Sequence, residues 1–224
     1  MSDLGIFIRG RRFTKGDLRG EGLPSIHYGE IYTHYGVSAT EARSYVRTDL
    51  AGSLRFARPG DVIIAGVGET VADVAKAVAW LGETGVAIHD DSYAFRSDVD
   101  ATYIAYVMQT WAFHRQKERY VARAKVKRIA GENLGRIVIP VPSIAEQRRI
   151  VSILSQFHTI VSGLGTGLRA EFKARRKQYE YYRDKLLTFE EAAWSRTSTS
   201  LGTIGSFRSR ASLRCSEEST PSTN

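Results

Sequence analysis

The chain has 224 residues, enough for one ordinary domain with an appendage and for a full hydrophobic core without a disulfide or metal staple. Its single cysteine, Cys215, excludes an internal disulfide and a Cys-rich zinc site; no apolar run is long enough to span a membrane, and Met1-Ser2-Asp3 lacks a secretion signal, so a cytoplasmic protein is expected. The formal net charge of +8 directs attention to an anionic partner, nucleic acid first.

The charge is unevenly spread. Residues 59–100 hold 2 basic and 8 acidic side chains, whereas 101–142 hold 8 and 2, as expected if one face meets a polyanion and another does not. Arginine outnumbers lysine by 24 to 8, which suits bidentate contacts to phosphate or guanine and equally follows from genome composition.

Arg9, Arg11, Arg12, Lys15 and Arg19 open the chain as a basic cluster, and His27-Tyr28-Gly29-Glu30-Ile31-Tyr32-Thr33-His34-Tyr35 follows. Basic groups provide phosphate contacts, while His27, Tyr28, Tyr32, Thr33, His34 and Tyr35 offer donors, acceptors and stacking faces for base edges. Tyr28 and Tyr32 could equally be core aromatics with wet hydroxyls. Further on, Leu54–Phe56, Asp61–Ala65, Val86–Ile88 and Arg136–Val141 are short apolar runs bounded by Gly or Pro and predict strands. Val71, Val74, Ala75, Val78 and Leu81 recur at helical spacing. Ala101–Trp111 predicts another helix, with Tyr103, Tyr106, Val107 and Trp111 as candidate core. A second basic run covers Arg115–Arg119, Arg123, Lys125, Lys127 and Arg128; a solvated helix face accounts for its first part, and Lys125, Lys127 and Arg128 are the better phosphate candidates. The elements do not alternate regularly, which favours an irregular α+β domain over residues 1–142.

Ile139-Pro140-Val141-Pro142 demands extended backbone and marks a boundary. Ser143-Ile144-Ala145-Glu146 fits a capping box. The helix it starts carries Ile150, Leu154, Phe157, Val161 and Leu164 on one stripe, interrupted by Gly163, Gly165 and Gly167. A second helix, about 169–189, places Phe172, Tyr179, Tyr182, Leu186 and Phe189 at coiled-coil seam positions. Such a stripe needs a partner, and a two-fold pair of chains through Phe172, Tyr179, Tyr182 and Leu186 is the simplest closed solution. From Ser195 onward 14 of 30 residues are Ser or Thr, so 191–224 is expected to be a disordered tail. Within it, Ile204-Gly205-Ser206-Phe207-Arg208 echoes Ile6-Phe7-Ile8-Arg9 and its neighbours.

No phosphate loop, His-Glu-x-x-His or Gly-x-Ser-x-Gly occurs. His89-Asp90-Asp91 could hold a metal, although a polar loop after a strand is the commoner origin of such a cluster. Neither a catalytic centre nor a cofactor is expected.

Two groups of residues carry a resemblance. Phe7–Lys15 with Ile26–Gly36 resembles a target recognition domain of type I restriction–modification specificity subunits. Asn133–Pro142, Glu146–Val151 and Glu171–Phe189 resemble that family's junction and conserved helix. The resemblance spans about residues 4–190. It implies a non-catalytic subunit that binds double-stranded DNA, recruits methyltransferase subunits and, through them, the restriction subunit, with no membrane partner. Full members have two recognition domains and two helical spacers. This chain has one of each, which implies a half-length form that homodimerises to read a bipartite, palindromic site. A metal-dependent nuclease and an inactive truncated fragment are the competing readings.

Overall fold

The computed structural model describes residues 1–122, 124–163 and 169–188, with side chains for all of these but 161–163 and 169–173. In chain order the described elements are β1 (Gly5–Arg9), β2 (Leu18–Arg19), β3 (Leu23–Ile26), α1 (Tyr28–Thr33), β4 (Ser38–Ala39), β5 (Ser44–Val46), β6 (Phe56–Ala57), β7 (Val62–Ala65), β8 (Val67–Gly68), β9 (Ala77–Trp80), β10 (Val86–Ile88), β11 (Ser92–Ser97), α2 (Ala101–Val107), α3 (Trp111–Lys117), β12 (Lys127–Arg128), α4 (Gly131–Gly135), α5 (Ile144–Gly163) and α6 (Arg169–Leu187). One sheet has the order β1-β11-β7-β9-β4, a second β2-β5-β3-β10-β6, and β8 pairs with β12. Most pairings are antiparallel; β4 on β9 and β3 on β10 are parallel. The architecture is mixed α+β. No described helix is long and apolar enough to cross a membrane.

The strand expected at Asp61–Ala65 is β7, and that at Val86–Ile88 is β10. The helix expected over Val71–Leu81 does not form. Its second half is β9, and Thr70 and Asp73 close a turn before it, the Thr70 hydroxyl donating to the Asp73 carboxylate at 2.7 Å. Ala75, at φ 59°, redirects the chain into the strand. Both β7 and β9 are buried at every position, so neither shows the alternation of a half-buried strand, and an apolar run of that kind matches a helix equally well. Lys117, expected on a solvated face, is instead buried, its ammonium donating to the Val74 carbonyl at 2.8 Å and tying α3 to this turn. Burial pushes its pKa down to about 8.

Arg136 closes α4 in a helical conformation, and residues 137–141 join no sheet among the described residues. Ile137 and Ile139 are buried and Val138 is exposed, the alternation that suggested a strand. The ladder's role is taken by other groups. Gln116 donates to the Val138 carbonyl and accepts from its amide, the Met1 ammonium donates to the Ile137 carbonyl, and the Tyr103 hydroxyl donates to the Pro140 carbonyl. The expected helix Ala101–Trp111 breaks at 108–110, where Thr110 caps α3 by accepting from the Phe113 amide. Trp111, expected in the core, is 63% exposed with the Arg115 guanidinium over its ring.

At the start of α5 only half of the capping box forms. Ser143 accepts from the Glu146 amide at 3.4 Å, while the Glu146 carboxylate turns forward to Arg149. Ile150 and Leu154 are fully buried against the globular core. α6 folds back along α5: Tyr182 stacks on Phe157 with ring centroids 5.9 Å apart, and Tyr179, Leu186 and the buried Leu187 pack on the same core as α2. Tyr179 and Leu186 are thus partly buried within the chain itself. The Val161 and Phe172 side chains, Leu164, Gly165, Gly167, Phe189 and the tail from 191 lie outside the described residues.

Candidate nucleic-acid interface

α1 starts at His27 because two bonds fix it there. The His27 amide donates to the Glu30 carboxylate at 2.9 Å, and the Gly29 amide donates to His27 Nδ1 at 3.3 Å. The Ser44 hydroxyl donates to the other Glu30 oxygen. β3 runs parallel to β10 with Ile26 opposite Ile88, so the residues that follow them, His27 and His89, meet with ring centroids 4.6 Å apart. Phe13 and Tyr28 close around His89 at 5.1 and 5.5 Å. Burial, and then the neighbouring His89, push the pKa of His27 down from its ordinary value, which keeps the ring neutral at neutral pH.

The basic side chains reach this aromatic cluster from two further segments. Arg9, at the end of β1, donates from Nε to the Asp90 carbonyl at 2.7 Å. Gly10 follows because the chain passes directly over β10's end: a Cβ at this position would lie 2.1 Å from the His89 carbonyl oxygen. Arg128, on β12, pairs with Asp91 at 3.1 Å. The result is a cleft of about 450 Å³ lined by Arg9, Arg12, Phe13, Thr14, Lys15, His27, Tyr28, His89, Asp90, Asp91 and Arg128. Arg12 and Lys15 are exposed, and their charged groups have no partner among the described residues.

Of the sequence candidates, Arg9, Arg12, Lys15, His27, Tyr28 and Arg128 thus converge on one cleft. Arg11 is exposed beside it, its backbone amide bonded to the Ile88 carbonyl. Lys125 is exposed, and Lys127 donates to the Ala124 carbonyl at 2.7 Å. Tyr32 and Tyr35 line a separate groove of about 530 Å³ with Tyr179 and Arg183 of α6. The Tyr35 hydroxyl accepts from the Arg43 amide at 2.7 Å, the Thr33 hydroxyl donates back to the Gly29 carbonyl, and His34 contacts the Arg43 side chain. Sequence reasoning did not place the 89–91 turn in the cleft, because the parallel β3–β10 pairing that puts it there leaves no local signal. The ligand atoms of His89, Asp90 and Asp91 lie within 4.8 Å of one another, close enough for a metal ion. Arg128 already neutralises Asp91, however, and the surrounding cations suit an anion better.

The profile of the type I restriction modification DNA specificity domain matches residues 2–173. The chain belongs to that family. Among curated proteins it is 48% identical over 64 residues to the specificity subunit of the Escherichia coli type I restriction enzyme EcoR124I/EcoR124II, covering 29% of this chain and 16% of that protein. It is 31% identical over 137 residues to S.HindORF215P of Haemophilus influenzae, a type I restriction enzyme specificity subunit by assignment, covering 60% and 33%. The HsdS subunit from Thermoanaerobacter tengcongensis shares the fold at 20% identity and a TM-score of 0.51, over 83% of this chain and 43% of that one. A type I R-M system structure matches at 21% identity and a TM-score of 0.52, over 83% and 44%. The chain spans less than half the length of each of these proteins.

Proposed function

We propose that this chain reads double-stranded DNA for a type I restriction–modification system, with residues 1–142 as the recognition domain and 143–190 as the helical spacer. It performs no catalysis of its own and presents bound DNA to methyltransferase subunits and, through them, to the restriction subunit. The observation that carries this reading is the cleft itself: among the described residues Arg12 and Lys15 stand without protein partners beside Arg9, Arg128, His27 and Tyr28, drawn from separate segments. Cations in that state are available to phosphate, and the ring and imidazole edges beside them are available to bases. The test is duplex binding by the full chain across a salt series. Alanine at Arg12 or at Lys15 should weaken binding to all sequences alike and lower the salt slope by about 0.9 for each phosphate that is no longer neutralised. Unchanged affinity and slope in both variants would remove the cleft from the interface. The 89–91 cluster gives a metal-dependent nuclease its one foothold among the described residues; cleavage of DNA by the pure chain with magnesium or manganese would favour it.

Pairing of two chains through the α5–α6 hairpin belongs to the same proposal. Two recognition domains would then face a bipartite, palindromic target. Tyr179 and Leu186 pack within the chain, and what supports pairing is exposed apolar surface on the hairpin, where Ile160 and Tyr181 are 52% and 61% exposed.

A further inference from the structure

Two carboxylates sit inside the cation-lined cleft, and they are held differently. Asp91 is taken by Arg128 at 3.1 Å. Among the described residues no Lys or Arg side chain pairs with the Asp90 carboxylate: Arg9 reaches its backbone carbonyl, and the carboxylate meets His89, whose Nδ1 lies 3.1 Å from one oxygen. That side chain is 32% exposed. The turn carrying it is held by backbone hydrogen bonds and ring contacts. The His89 carbonyl accepts from the Ser92 amide, the Asp90 carbonyl from Arg9 and the Asp91 carbonyl from the Gly66 amide, while the His89 ring is wedged among Phe13, His27 and Tyr28. A carboxylate on that turn, in the same cleft as Arg12 and Lys15, repels phosphate, so its partner on DNA has to be a hydrogen-bond donor. In the major groove the donor edges of base pairs are the exocyclic amino groups, cytosine N4 and adenine N6.

We propose that Asp90 is a specificity-determining residue of this cleft, accepting a hydrogen bond from the exocyclic amino group of one cytosine or adenine while the neighbouring cations hold the backbone. The proposal rests on the reading of the cleft as the DNA interface, and the experiment separates the two. Duplexes are selected from a randomised pool by the full chain, by D90A and by R12A. D90A should relax preference at one base pair while keeping or raising affinity for unselected DNA. At that pair, replacing adenine by purine, or cytosine by 2-pyrimidinone, deletes the amino group. Wild type should lose about 5- to 100-fold in affinity for the altered duplex, and D90A should bind both duplexes equally. If D90A melts early, the near-isosteric D90N, which adds donors, should shift preference at the same pair instead. A selected sequence unchanged in the folded Asp90 variants, or equal losses by wild type and variant on amino deletion, overturns the proposal alone when R12A still weakens all duplexes. A wild type that selects no sequence, or an R12A that binds as wild type does, overturns the reading of the cleft and the proposal with it.

Discussion

His114 lines the groove beside α6, and burial, followed by the nearby Lys117 and Arg183 charges, pushes its pKa down to about 4. An unfolded histidine takes up a proton near pH 6.5. Between that value and about 4 the unfolded chain therefore binds more protons than the folded one, and stability falls as the pH drops through this window. The full loss is at most about 3 kcal/mol. His27, whose pKa is also lowered, acts in the same direction. His114→Gln should flatten the acid limb of a urea-denaturation series between pH 6.5 and 4; a limb as steep as that of wild type would place the loss in other groups.

α6 behaves as part of the core on one face and as free surface on the other. Leu187 is 4% exposed among residues of the main cluster, so Leu187→Ala leaves a cavity and should cost about 2–4 kcal/mol. Tyr181 lies on the outer face, with Lys185 near its ring, and Tyr181→Ala should change monomer stability by less than about 0.5 kcal/mol. Chemical denaturation of the two variants checks the contrast. Equal costs would mean that the outer face is buried in solution, by a second chain or otherwise.

The pairing of two chains is tested at the scale of the whole molecule. Glu at both Ile160 and Tyr181 introduces charge at exposed positions of the hairpin and leaves Tyr182 stacked on Phe157 and Tyr179, Leu186 and Leu187 packed as they are. Sedimentation should show a dimer for wild type at micromolar concentration and a monomer for the double variant, with folding intact. A wild-type monomer at that concentration, or a selected DNA target with a single half-site, would defeat the paired arrangement. The salt dependence of DNA binding belongs to the same scale, since it counts all phosphates neutralised at once.

The sequence by itself determined the features that depend on near neighbours. α5 and α6 follow from apolar residues at helical spacing. The start of α5 follows from the prolines and Ser143. β10 follows from a short apolar run between turn residues, and the basic character of the segment from Arg9 to Lys15 is composition alone. The family, too, was legible, because its junction and helix are continuous stretches. Tertiary structure decided whatever depends on pairing between distant segments. β9 is a strand because it is covered on both faces, a fact that Val71–Leu81 read in isolation represents as a helix. Residues 137–141 join no sheet among the described residues because Gln116, Met1 and Tyr103 satisfy their backbone instead. His27 meets His89 only through the parallel β3–β10 register, and Arg128 meets Asp91 only after β12 joins β8. Hydrophobic spacing reports which residues are buried, but not which distant strand lies alongside, and it is that choice of neighbour that assembled the cleft.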